Sequence, residues 1–330
     1  MISRRMFLAG IAALPACRTC ANLKKPIATV PYRFIHQSDG EMRAFVVGSD
    51  AHHYVESLET DGGWQGRVRA YDRASGKPST LTTENVDANR VLAVSPTAVW
   101  FQSDGKLARV ARSGGPVTTY FRLPSEPFHI AADADGAYAF RAHIDGSFAL
   151  STNVDLVRVT DAGEETVLAT GLFPDHASKI VTLKDDIAFW NAIGTTGCVI
   201  VSKSGGPLRA SKRMYTHEIV QAGHTYERDY KDGVWELDPV TGARQKQLMP
   251  YTGETLLGVI PAGVVLGRSE MRSANFGSRS GHMLYAIELY DPSVEHSGPI
   301  FDLRGGSIIA FGEIPSGIAW ATNGEIGELG

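Results

Sequence analysis

The chain has 330 residues, of which 43% are hydrophobic and 21% charged, with a formal net charge of −4 and three cysteines. That length holds either two average domains or one large all-β domain. The mild acidity argues against nucleic acid or an anionic membrane surface as partner, and three cysteines cannot build a disulfide framework.

The chain opens on "MISRRMFLAGIAALPACRTCA" (1–21): a basic start, an apolar run from Phe7 to Ala16, then small residues and cysteine. An apolar run of about ten residues is too short to span a bilayer but suits the core of a signal peptide. "SRRMFLA" resembles the twin-arginine export signal, with Arg4 and Arg5 as the pair. "LPAC" (14–17) resembles a bacterial lipobox, which would make Cys17 a lipidation site; ordinary cleavage after Ala21 is the competing route. Either route implies an exported protein, periplasmic or anchored at the outer membrane, touching membrane only through a lipid anchor. Cys17 and Cys20 form C-x-x-C without a following His, so haem attachment is not indicated. Cys198, within the β-branched run "GCVIV", is expected to be a buried small apolar residue.

After the leader, "IATVPYRF" begins an apolar segment (27–35) with no partner nearby in sequence. From there on, short β-branched and aromatic runs bounded by Gly, Asp, Ser or Pro dominate, and no long window has helical spacing. An aromatic strand recurs: "HHYVESL" (52–58), "AVWFQS" (98–103), "AYAFRA" (137–142), "IAFWNA" (187–192), "HTYERD" (224–229), "GVVLGR" (263–268) and "GIAWAT" (317–322). The spacing averages about 44 residues, and four short strands per period is the pattern of a β-propeller. In each unit this run is the second strand, B, between an apolar strand A and the outer strands C and D. Residues 22–330 are therefore expected to be one all-β domain, a seven-bladed propeller of four-stranded antiparallel blades. The blades fall at about 42–83, 86–123, 128–169, 178–210, 217–249, 255–303 and 307–330. The last blade lacks its strand D, which 27–35 supplies, tying the two ends of the chain together.

Between strands C and D, "VARSGGPVTTY" (110–120) and "VSKSGGPLRAS" (201–211) nearly repeat. Their Gly-Gly is expected to give the turn its positive φ, with Pro starting the outer strand. The stretch "AVWFQSDGKLARVARSGGPVTTYF…PFHIAADADGAYAFRA" resembles the YWTD-like and related bacterial propeller repeats, with Ala98–Phe101 and Ala137–Phe140 at the place of the signature tetrapeptide. The fourth-position Asp is absent from both. The resemblance implies the architecture and leaves the activity open, because propellers host binding modules, lyases, lactonases and dehydrogenases alike.

Several motifs are only partial. "THEIVQAGH" (216–224) has Gln221 where a zinc-binding helix needs its second His, and it reads as a strand. "GSRSG" (277–281) has Arg where a nucleophile elbow needs Ser, and "DADG" (133–136) lacks the Glu that closes a calcium loop. His52 and His53 read as surface histidines at a strand start. No cofactor or metal is expected.

The better-motivated cluster lies where each strand A enters, beside the central channel. Arg90, His129, His176 with Lys179, and His217 with Glu218 stand at those entrances, with Thr255 and Ser307 in the last two blades. Such a ring suits an anionic or polar ligand, or an acid and a base facing each other. The expected function is an exported, monomeric, non-catalytic scaffold that binds an envelope protein or glycan. The alternative is an envelope enzyme of lactonase or lyase type built on the same His, Glu, Arg and Lys cluster. A quinone-dependent dehydrogenase is disfavoured, because the Trp-rich docking repeats of that class are missing and the chain has five Trp.

Overall fold

A computed structural model describes residues 30–330 except 62, 87, 125–128, 144–152, 175–178, 192–196, 216–217, 222, 230, 251–254, 272–281, 294–295, 303–309, 316, 323 and 330. Its strands form seven four-stranded antiparallel sheets in a ring. In chain order, the innermost strands A are Glu41–Val46, Ala88–Val94, Ala131–Asp133, Val181–Thr182, Glu218–Gln221, Thr255–Ile260 and Ala310–Ile314. The B strands follow the aromatic runs closely: Ala98–Ser103 and His224–Asp229 coincide with them, Gly136–Ala142 starts one residue earlier, and Asp186–Asn191 is shifted by one residue. "THEIVQAGH" contains strand A of blade five and its turn into strand B, and "DADG" is an A–B turn, as their sequences suggested.

The seventh sheet runs Tyr32–Gln37, Glu325–Leu329, Gly317–Ala321, Ala310–Ile314 from outside to inside. The N-terminal strand therefore closes the last blade, pairing Tyr32 with Leu329 and Gln37 with Glu325. It begins at Tyr32, several residues after the apolar segment does. Tyr32 and Phe34 are 45% and 46% exposed, so hydrophobic burial does not select the register. Charge does more. Glu328 is buried and receives Arg33 Nη2 at 2.7 Å from the closing strand, Arg73 Nε at 2.8 Å from the first blade, and His52 Nε2 at 3.3 Å. These partners hold the Glu328 carboxyl well below its ordinary range, at about 2.

His52 and His53 were expected at the surface; both are buried. His52 stacks on Tyr71 and meets Glu328 across the seam between blades seven and one. Burial pushes the His53 imidazole down to about 4. The reason is position: strand B is second from the channel and both its faces are covered by neighbouring blades. Cys198 is buried, as expected, and forms no disulfide among the described residues.

Blade faces bury each other through six apolar clusters, at the junctions of blades one–two, two–three, three–four, five–six, six–seven and seven–one. Trp100, Trp320, Tyr54, Tyr138, Phe101, Phe140 and Phe189 are their largest fully buried members. Burying each such side chain contributes roughly 2–3 kcal/mol. Among the described residues, the junction of blades four and five has no such cluster.

The antiparallel order places A–B and C–D turns on one face of the ring, and B–C turns with the D–A connections on the other. On the first face, C–D turns reach back to the preceding blade. Gly115 N donates to Leu81 O at 2.8 Å, and Gly206 N to Leu168 O at 3.3 Å. Beside them, Arg112 pairs with Asp50, and Lys203 with Asp133 at 2.7 Å and Asp135 at 3.2 Å. The Ser-Gly-Gly-Pro turn is therefore a clasp between blades as well as a local bend. Gly114, at φ +84°, shows why glycine is needed: a Cβ there would sit 3.2 Å from the Leu81 carbonyl oxygen.

Candidate functional site

The entrances to strands A lie beside the channel on the B–C face. Lys179 stands just before the short inner strand of blade four, and His129 just before that of blade three. Both side chains keep solvent contact while the channel wall surrounds them with protein. That partial desolvation lowers the Lys179 ammonium from its ordinary value. It lowers His129 as well, with the charge of Lys179 adding to the effect, so His129 is neutral at neutral pH. Among the described residues, Lys179 has no carboxylate partner.

Lys179 lines a channel cavity of about 710 Å³ that reaches the inner strands of blades four to seven and opens toward the junction of blades four and five. Its size suits a small-molecule ligand. Glu218, at the start of strand A in blade five, also lines it and is buried. Both carboxylate oxygens are engaged: Arg213 Nε donates to Oε1 and Nη2 to Oε2, each at 2.7 Å. Arg213 Nη1 donates in addition to Pro239 O at 2.9 Å, and the guanidinium lies over the Tyr215 ring, 4.8 Å from its centroid. This clamp stands where the other blade junctions place an apolar cluster. A bidentate Arg–carboxylate pair fixes both partners in orientation. Glu218 is thus a neutralised wall residue, and Lys179 leaves the lining with a net positive charge.

Of the residues expected at the channel mouth, the structure brings Lys179 and Glu218 to one cavity and places His129 within the electrostatic reach of Lys179. Arg90 lies in strand A of blade two, but its side chain is outside the described residues, as are His176, His217 and Ser307. Thr255 begins strand A of blade six. The expected signal sequence, with Arg4, Arg5 and Cys17, is likewise outside them. Sequence reasoning missed Arg213, Tyr215 and the apolar side of the cavity, formed by Val220, Leu257 and Phe311. The available signal was the basic "SKR" (211–213) shortly before Glu218 in a connection too long for a tight turn.

A second cavity of about 730 Å³ lies over the closing seam, lined by Arg33, Arg73, Asp50, Asp72 and Glu328. It is wide and open, and Glu328 already engages both arginines.

The fold and the channel cavity define a seven-bladed β-propeller with a ligand-sized hollow at its centre. No protein-family model and no curated protein matches the sequence. Among solved structures, an oligogalacturonate lyase in complex with manganese matches with a TM-score of 0.56, over 92% of this chain and 96% of that one, at 13% sequence identity. At that identity the likeness bears on the fold alone. Among the described residues no three His, Cys, Asp or Glu side chains are grouped to hold a metal ion.

Proposed function

We propose that this chain is an exported cell-envelope binding propeller that takes an anionic group in its channel, without turning it over. The anion belongs to a small acid or to an envelope protein or glycan. The observation that carries this reading is Lys179, a partly desolvated ammonium lining the cavity without a carboxylate partner among the described residues. A partly desolvated cation gains from a nearby anion, and because solvent still reaches the Lys179 side chain the gain is screened below that of a buried pair. Glu218 cannot compete for it, because Arg213 holds both its oxygens. The same clamp weighs against catalysis, since it removes the acid–base carboxylate that the cluster would need. The proposal retains kinship with YWTD-like repeats, twin-arginine export through Arg4 and Arg5, and lipidation at Cys17, each supported by the motifs in the sequence.

The test is calorimetric titration with galacturonate and small carboxylates against galactose, using the wild type and Lys179→Met. Anions should bind in preference to the neutral sugar, and Lys179→Met should weaken them at least tenfold. Equal binding of charged and neutral compounds would refute the reading. One observation favours a lyase instead: a neutral His129 within the field of the Lys179 cation could take a proton from the carbon beside a bound carboxylate. Formation of an ultraviolet-absorbing unsaturated product from oligogalacturonate, lost in His129→Gln, would replace binding with that activity.

A further inference from the structure

We infer that the channel ligand is a small amphiphilic carboxylic acid, with its carboxylate on Lys179 and an apolar body against blades five to seven. This rests on the binding reading above and narrows it. The cavity sets one cation with no carboxylate partner among the described residues amid apolar lining. Blade four contributes the Lys179 ammonium beside Val181 and Leu183, and blades five, six and seven contribute Val220, Leu257 and Phe311 around the Arg213–Glu218 pair.

Val220 is the telling residue. It sits inside an inner strand, where its neighbours Glu218 and Gln221 are buried, yet it is 65% exposed. Its position is fixed from both sides. Ile219 packs on the core between blades five and six, and Gln221 Oε1 accepts Val259 N at 2.8 Å. Val220 therefore cannot turn inward without breaking that tie. Val240, 84% exposed in the C–D turn of blade five, lines the same cavity. Single exposed apolar residues are ordinary, but here two exposed valines line one cavity together with Phe311.

A bare carboxylate would satisfy Lys179 and leave this lining wet. An acidic sugar would turn hydroxyls toward it, and the Gln221 side-chain carbonyl of that lining is already used. An acid carrying an alkyl chain or an aromatic ring satisfies the cation and the apolar lining together. The net positive lining excludes the corresponding amine by charge.

The experiment is calorimetric titration of the mature protein with octanoate, 4-phenylbutyrate, acetate, galacturonate, octylamine and a short peptide ending in leucine. Octanoate or 4-phenylbutyrate should bind at least tenfold more tightly than acetate and galacturonate, and octylamine should not bind. Lys179→Met should weaken the amphiphilic acids at least tenfold and Val220→Asn at least fivefold, with unchanged melting curves showing that both variants fold. Acetate and galacturonate binding as tightly as the amphiphiles would overturn the inference while leaving anion binding intact. No acid binding at all would overturn both. A peptide bound tenfold more tightly than the free acids would assign the site to a protein terminus and overturn the small-acid source.

Discussion

Replacing Glu328 by Gln should open the closing seam from its electrostatic centre. In the folded protein this carboxylate has 6% of its side chain exposed and serves Arg33, Arg73 and His52 at once. Its pKa falls from the ordinary 4.5 to about 2. At about 1.4 kcal/mol per unit, that difference corresponds to about 3 kcal/mol of folding stability. A depressed carboxyl contributes fully above its unfolded pKa and loses that contribution as pH falls through its folded one. The loss therefore belongs between pH 4.5 and pH 2. His53 titrates in a different window: held neutral down to about 4 against an ordinary 6.5, it costs stability as pH falls from 6.5 toward 4. Urea unfolding followed by tryptophan fluorescence across these ranges separates the two. Glu328→Gln should be about 3 kcal/mol less stable at neutral pH and should flatten the slope below pH 4.5 by Glu328's share, with the rest left to other depressed carboxylates such as Glu56 and Asp50, while the contribution of His53 above it stays. A variant within about 0.5 kcal/mol of wild type, with an unchanged acid profile, would show that the seam does not depend on this carboxylate.

Three further outcomes follow from other contacts. Arg213→Met should cost about 3 kcal/mol in the same unfolding assay by stranding the buried Glu218 charge, and Glu218→Gln in the same chain should recover part of it. Gly114→Ala should cost about 1–2 kcal/mol, because alanine dislikes positive φ and its Cβ would crowd the Leu81 carbonyl; this is readable as a lower melting temperature. Replacing Arg4 and Arg5 by Lys should leave the precursor in the cytoplasm on fractionation, and normal export of that variant would dismiss the twin-arginine reading.

The B strands were legible because their signal is local: runs such as "AVWFQS" combine β-branched and aromatic residues between turn formers, and Trp100 and Phe101 are then fully buried. The closing strand was legible as a missing partner, but its start was not. Its exposed Tyr32 and Phe34 carry no burial pattern, and its alignment shows in the pairing of Arg33 with Glu328, 295 residues away. His52 and His53 misled for a similar reason: part of what covers His52, Glu328, comes from another blade far away in sequence. At the channel, Lys179 and Glu218 could be placed by repeat position. That Glu218 would be neutralised could not, because its clamp also leans on the Pro239 carbonyl in a different turn.

The clasps formed by Ser-Gly-Gly-Pro join blade two to blade one and blade four to blade three. Mechanically, the ring then holds two couplets stiffened by these clasps, with blades five and six tied by Gln221 to Val259 and blade seven tied to blade one by Glu328. The joint after the second couplet, between blades four and five, has a polar clamp and a hollow and, among the described residues, no apolar cluster. A ring strained by heat or tension should yield there before it yields where its ends meet. A ligand filling the hollow would splint that joint, so occupancy would be felt as rigidity of the whole circle.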